Sequence, residues 1–289
     1  MNKSVFYAIL AAALYALNAP VSKLLLQNVP PTMMAGFLYL GAGLGMALMG
    51  LARSKTGRGK KEARLTKKDL PYTLGMVVLD IAAPIFLMVG LKRTTAANAS
   101  LLNNFEIVAT SLIALLIFKE KIGKRLWIAI GLITLSSILL SVEDVGSFQF
   151  SIGSLFVLLA CVCWGLENNC TRNLSHSDPL EIVVIKGFGS GIGSVLIGLA
   201  VGEALPIRSD ILKILLLGFV AYGLSIYFYV YAQRDLGAAR TSAYYAVAPF
   251  IGVLLSFVIF REIPGALFFI ALAIMIAGTW MVNRDPSEP

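Results

Sequence analysis

The chain of 289 residues is 58% hydrophobic and only 14% charged, with a mean hydropathy of +0.82 and a formal charge of +8. A water-soluble domain of this length cannot cover itself with so little polar surface, so lipid must be the solvent for most of it.

A bilayer core needs about 20 apolar residues per helix. Ten such segments are predicted in chain order, at 4–26, 31–52, 71–91, 95–118, 124–142, 152–172, 179–202, 208–233, 239–260 and 264–283. The first resembles a signal peptide, with Lys3 followed by VFYAILAAALYALNA. Its apolar run exceeds the roughly 7–15 residues of a signal core. Segment six resembles segment one and cannot be a signal, so segment one is read as a retained helix.

Charge sets the orientation. Arg53 to Lys68 holds eight of the 24 basic residues, and Lys119 to Arg125 holds four more. Both stretches follow an even-numbered segment and lie on one side with the two termini. The positive-inside rule makes that side cytoplasmic. A basic run of this kind also suits nucleic acid or anionic lipid; here it reads as a topology determinant, with no nucleic-acid partner. The three cysteines, Cys161, Cys163 and Cys170, fall in segment six without a CxxC spacing, and His176 is the single histidine. A zinc site needs more ligands than these, so the cysteines read as small apolar residues.

The chain repeats itself. Phe118, Glu120 and Gly123 match Phe260, Glu262 and Gly265 at an offset of 142, the two glutamates being read as helix terminators. Upstream, Tyr15, Asn18, Ser22 and Lys23 match Trp164, Glu167, Thr171 and Arg172 at an offset of 149. Five helices per unit is an odd number, so the second unit enters the membrane from the opposite face. Inverted repeats of this kind are a recurrent transporter design. The expected units are residues 1–146 and 147–289, and the expected fold is an all-α polytopic membrane protein of ten transmembrane helices in two inverted five-helix repeats.

Two five-helix units, each ending in F-[KR]-E-x-x-G before a last apolar helix, resemble the EamA domains of the drug/metabolite transporter superfamily. Trp164-Gly165 in segment six and Ala248-Pro249 in segment nine fit the same pattern. The likeness spans essentially the whole chain, and among its branches the chain is most similar to YddG-type amino acid exporters of the bacterial inner membrane. The first half departs from the pattern. Tyr15-Ala16 replaces Trp-Gly, and Ile107 stands where the second half has Pro249.

Polar residues inside the segments mark the expected cavity, because an ionised side chain at mid-bilayer costs about 2.5–3.5 kcal/mol on insertion scales. Trp164, Glu167, Asn168 and Thr171 fall at i, i+3, i+4 and i+7, one continuous helix face. Tyr15, Asn18 and Ser22 form the matching face of segment one. Segment four carries Asn103, Asn104, Glu106 and Thr110, and segment three carries Asp80 four residues before Pro84. Segments eight and nine add Tyr222, Ser225, Tyr229, Tyr244, Tyr245 and Pro249.

An amino acid zwitterion needs an acceptor for its ammonium, donors for its carboxylate and a tolerant wall for its side chain. Glu106, Glu167 and Asp80 are the candidate acceptors, and Asn18, Asn103, Asn104 and Asn168 the candidate donors. Trp164, Tyr222, Tyr229 and Tyr245 are candidates for the wall, with cation–π support for an ammonium. Pro20, Pro84 and Pro249 are positioned to kink helices and free backbone groups.

Each has a plainer reading. Asparagines are ordinary glue between membrane helices, and the acids have Lys186, Lys23 and Arg172 as possible ion-pair partners. The glycines of Gly187 to Gly198 follow no strand, so they read as close helix packing and not as a phosphate loop.

The function expected is a secondary transporter exporting amino acids or similar small metabolites by alternating access. The alternative is a transporter of the same fold for organic cations or drugs, nucleosides or nucleotide sugars. Without a Walker motif ATP does not drive it directly. One histidine and no HExxH or GxSxG disfavour a lipid-acting enzyme using Asp80 or Glu167 as acid or base. Expected partners are a small-molecule substrate, an amino acid, and the lipid bilayer, with no cofactor and a monomeric state.

Overall fold

A computed structural model describes residues 3–55, 63–118, 123–144, 149–261 and 264–282. Glu120 and Glu262, expected at helix ends, lie outside these residues. Seven helical stretches are long and apolar enough to cross a membrane. Three shorter apolar helices, Trp127–Ser141, Ala248–Phe260 and Ala266–Met281, bring the spans to the ten expected.

The elements in order are α1 (Lys3–Tyr15), α2 (Asn18–Leu25), α3 (Pro31–Lys55), α4 (Leu70–Arg93), α5 (Ala96–Leu102), α6 (Phe105–Phe118) and α7 (Lys124–Ser141). After a short hairpin, β1 (Val142–Asp144) and β2 (Gln149–Phe150), come α8 (Ile152–Leu174), α9 (Pro179–Ala200), α10 (Arg208–Gly218), α11 (Ser225–Tyr245), α12 (Ala248–Phe260) and α13 (Ala266–Val282). Span one is α1 with α2, and span four is α5 with α6. Spans two, three, five, six, seven and ten are α3, α4, α7, α8, α9 and α13.

The hairpin is the one departure from the all-helical expectation among the described residues. Its strands pair antiparallel, Val142 with Phe150 and Asp144 with Gln149. A connection outside the lipid core can satisfy its backbone groups against itself, whereas a strand inside lipid cannot.

Span starts follow their caps. Ser151 accepts from Ser154 N at the head of α8, and Asp178 accepts from Leu180 N ahead of Pro179 in α9. These side chains satisfy backbone donors that a helix start leaves open. The end of α9 turns on Gly202, whose φ of +78° suits glycine. The next residue, Glu203, reaches across to the head of α3, where Thr32 N and Met33 N donate to its carboxylate at 3.2 and 2.8 Å.

Spans eight and nine needed more than a boundary. α10 continues through a π-helical segment, Phe219–Leu224, into α11. A straight helix would set Ser225 and Tyr245 about 30 Å apart. Instead the Ser225 hydroxyl lies 3.4 Å from the Tyr245 hydroxyl, and the rings of Tyr229 and Tyr245 are 5.1 Å apart. The backbone therefore doubles back inside α11, between the expected limits of segments eight (208–233) and nine (239–260), while keeping helical turns on both sides.

Packing between the units follows a regular exchange. Span one lies along span eight through α1 and α11, as span three lies along span six through α4 and α8. Span two packs on span seven, span five on span ten, and α5 of span four on α12 of span nine. Exchanging spans one to five with six to ten returns the same set of pairs. One close seam is between spans two and seven, where Gly187 meets the backbone of Gly43 and Gly191 meets Leu40. Small residues let helix backbones approach closely in lipid, where no hydrophobic force draws helices together.

This seam makes a prediction. A methyl group on Gly187 would overlap the Gly43 backbone and stand 2.9 Å from Tyr39 O, whereas one on Gly131 of α7 meets nothing within 4 Å. Gly187→Ala should cost about 1–3 kcal/mol or more by overpacking. Gly131→Ala should be neutral or stabilising by up to about 1 kcal/mol. Thermal unfolding of the two purified variants in detergent checks both.

Candidate functional site

At mid-depth the polar faces converge on one narrow chamber. Span six supplies Trp164, Glu167, Asn168 and Thr171, the four positions expected from their helical spacing. Asp80 comes from span three, Glu106 from span four and Lys186 from span seven. Tyr15, Tyr39, Tyr222, Ile226, Tyr229 and Tyr245 complete the wall. The free space inside is ≈ 60 Å³, room for a few water molecules.

Lys186 organises the charges. Its Nζ lies 3.0 Å from Asp80 Oδ2 and 2.8 Å from Glu167 Oε1, and all three side chains are 4% exposed or less. Thr171 donates a short hydrogen bond to the same Glu167 oxygen. Glu106 stands apart from this triad. Asn168 Nδ2 donates to it at 2.6 Å and lies 3.5 Å from Thr110 Oγ1. Among the described lining residues there are thus three carboxylates and one ammonium. That imbalance sits in a low dielectric, where an unpaired ionised group is costly.

Aromatic rings close the remaining sides. Tyr15 is the hub, with its ring 6.3 Å from Trp164, 5.8 Å from Tyr222 and 5.7 Å from Tyr245. Tyr39 meets Tyr222 at 5.0 Å. The π-helical segment places Tyr222 in this cluster, and Ile226 and Tyr229 follow at helical spacing onto the chamber wall. Ser225, one residue before Ile226, turns away and donates to Ala11 O at 2.8 Å, tying span eight to span one.

The expected site residues divide clearly. Asp80, Glu106, Trp164, Glu167, Asn168, Tyr222, Tyr229 and Tyr245 line the chamber. Asn18, Asn103 and Asn104 do not. Asn18 is buried behind the wall, donating to the Tyr222 hydroxyl at 3.0 Å and accepting from Ser22. Asn103 and Asn104 are buried at the step between α5 and α6. Tyr244, by contrast, is 38% exposed. Tyr39 was missed altogether. Its signal was a lone hydroxyl-bearing ring in the middle of an apolar span, which a search for acids and amides passes over. Lys23 is not near the acids. Its Nζ donates to the carbonyls of Leu91 and Thr94, each at 2.6 Å, at the end of α4, where a cation complements the helix dipole.

The two ends of the bundle differ. On the side of the 53–68 segment, Arg234 donates to Ser175 O and Ser177 O at 3.0 and 2.7 Å. Leu65 N donates to Glu181 at 3.1 Å, and Ser4 donates to Asp235 at 2.6 Å. On the opposite side, clefts of ≈ 460 and ≈ 310 Å³ share Thr95, Ala96 and Phe260. Among the described residues, one face is laced by these contacts and the other holds the two crevices.

Removing Lys186 would leave two buried carboxylates facing each other. Lys186→Met is expected to destabilise the protein by about 3–5 kcal/mol, and adding Asp80→Asn should restore most of the loss. Detergent thermal denaturation of the single and double variants reads this directly.

Comparison with known proteins agrees with this architecture. An uncharacterized transporter of Methanothermobacter thermautotrophicus is 25% identical over 95% of this chain and 84% of its own length. The uncharacterized transporter YyaM of Bacillus subtilis is 21% identical over 70% of this chain and 69% of its own. One protein of known crystal structure, 19% identical, shares the fold with a TM-score of 0.73 over 99% of this chain and 98% of that one. The EamA-like transporter family matches twice, over residues 2–142 and 151–284. With ten spans around one polar chamber and both halves matched, the chain belongs to the EamA-like transporter family.

Proposed function

We propose that this transporter moves small metabolites bearing an ammonium group, amino acids foremost, out of the cytoplasm of a bacterial cell across its inner membrane. The observation that carries the reading is the charge count of the chamber. Asp80 and Glu167 share Lys186, while Glu106 has a neutral amide from Asn168 as its partner. A carboxylate held in a ring of Tyr15, Trp164, Tyr222 and Tyr245 suits a substrate ammonium, through ionic attraction and cation–π contact together. The same excess of acid supports a second reading, an exporter of organic cations.

Alternating access follows from the paired units, taken as residues 1–146 and 147–289 in inverted orientation. Two similar halves can tilt against each other in two nearly equivalent ways. The positive-inside rule, applied to the basic segments, supports a cytoplasmic position for the laced face and both termini. The conformation described is then closed inward, with its crevices outward. A chamber of ≈ 60 Å³ must widen before it admits an amino acid, which the tilt would provide.

Purified protein in liposomes tests this reading. Saturable counterflow of an amino acid or an amine is expected, and Glu106→Gln should lower it more than tenfold at unchanged expression. No saturable flux of either class, or full activity in Glu106→Gln, would remove the proposal.

A further inference from the structure

The cleft of ≈ 460 Å³ on the face opposite the 53–68 segment has the size of a small-molecule site, about 300–1,000 Å³. Lys23, Lys92 and Arg93 line it, and there is no carboxylate among its described lining residues. Under the orientation proposed above this face is the outer one, where the positive-inside rule leaves lysine and arginine scarce. Three cations gathered at one outer cleft need an explanation.

The donors on this lining are largely unspent. Lys92 and Arg93 are exposed, and among the described residues neither enters an ion pair. The Arg93 guanidinium lies 5.8 Å from the centre of the Phe156 ring of span six. A guanidinium held over a ring keeps its in-plane N–H groups for an anion. Lys23 stands beside them, anchored on Leu91 O and Thr94 O. Three lining hydroxyls are engaged as acceptors. Asn98 Nδ2 donates to Thr94 at 3.2 Å, Asn98 N to Thr95 at 3.1 Å, and Ser154 N to Ser151 at 3.2 Å. A hydroxyl that accepts still has its own O–H to give, and among the described residues nothing takes it from these three.

An adjoining cleft of ≈ 310 Å³ shares Thr95, Ala96 and Phe260 and adds the apolar Ala97, Phe257 and Pro264. A charged group suits the first cleft and hydrocarbon the second. Ammonium, guanidinium and hydroxyl donors from the ends of spans three, four and six are more than a planar two-oxygen carboxylate can use, whereas a phosphate offers oxygens in several directions. We infer that Lys92 and Arg93, with the hydroxyls of Thr94, Thr95 and Ser151, form a binding site for a phosphate group. A phospholipid headgroup would fill it with an acyl chain in the apolar cleft beside it. Inorganic phosphate presents the same chemistry without the chain. The site stands apart from the central chamber and does not depend on Glu106 or on an amino acid cargo.

Thermal unfolding of the purified full chain in detergent tests this with four probes. These are dioleoylphosphatidylglycerol, dioleoylphosphatidylcholine as its uncharged control, inorganic phosphate, and acetate at the same ionic strength. Phosphatidylglycerol is expected to raise the melting temperature saturably above phosphatidylcholine, and phosphate above acetate. Lys92→Gln combined with Arg93→Gln should raise the half-saturating concentration about tenfold or more, as the loss of charge-assisted hydrogen bonds implies. The ligand-free melting temperature should stay within about 2 °C, because both side chains are exposed. Each single substitution should give a smaller loss. Lys67→Gln combined with Lys68→Gln, exposed at the other end of span three, should give none.

A response to phosphatidylglycerol alone makes the lipid headgroup the ligand, and a response to inorganic phosphate alone makes it a soluble phosphate; either supports the site. No response to either probe beyond its control would overturn it. So would a loss in the Lys92 and Arg93 variants no larger than in the Lys67 and Lys68 pair, which would reduce the effect to general surface charge. A phosphate response that persists where no amino acid or amine shows counterflow leaves this site standing while the cargo reading falls. Counterflow without a phosphate response does the opposite.

Discussion

The ion-pair triad of Asp80, Lys186 and Glu167 is the constraint around which the interior is arranged. Three ionised side chains at this depth are tolerable only where they neutralise one another or meet a polar space. Asp80 comes from span three, Glu167 from span six and Lys186 from span seven. Their convergence therefore fixes the relative depth of three helices drawn from both halves of the chain. Thr171 adds a second partner to Glu167 from one turn further along span six. Once the only described ammonium in the chamber is shared this way, Glu106 becomes the carboxylate whose charge the protein does not match.

The wall around that carboxylate depends on close backbone approach elsewhere. Gly43 and Gly187 bring spans two and seven together, and Gly218 lies against the Leu38 carbonyl where span eight meets span two. These contacts carry Tyr39 and Tyr222 to a ring separation of 5.0 Å. Asn18 then holds the Tyr222 hydroxyl from behind. A residue expected to touch substrate serves in the structure to orient one that lines the chamber. Its effect on transport would come through the position of the ring.

The two faces of the molecule are each tied by a similar contact among the described residues. Arg234 crosses from span eight to the backbone at the end of span six. Lys23 crosses from span one to the backbone at the end of span three on the opposite face. Both place a cation on helix-end carbonyls, where it satisfies acceptors and complements the dipole. The acceptors described for both are backbone carbonyls at the polar ends of the spans.

The amino-acid sequence by itself determined the number of spans, their approximate limits, the doubling of the chain and the polar face of span six. Apolar length and helical periodicity are local properties, and Trp164, Glu167, Asn168 and Thr171 needed only their spacing to be grouped. Partner choice was decided by the tertiary structure. Nothing local distinguishes Glu106 from Glu167, yet one receives a neutral amide and the other a lysine from a different span. Nothing local turns Asn103 and Asn104 off the chamber, or folds α11 back so that Tyr245 meets Tyr229. Those outcomes depend on how helices distant in the chain rotate and approach, and in lipid that is set by small residues and polar contacts acting across spans.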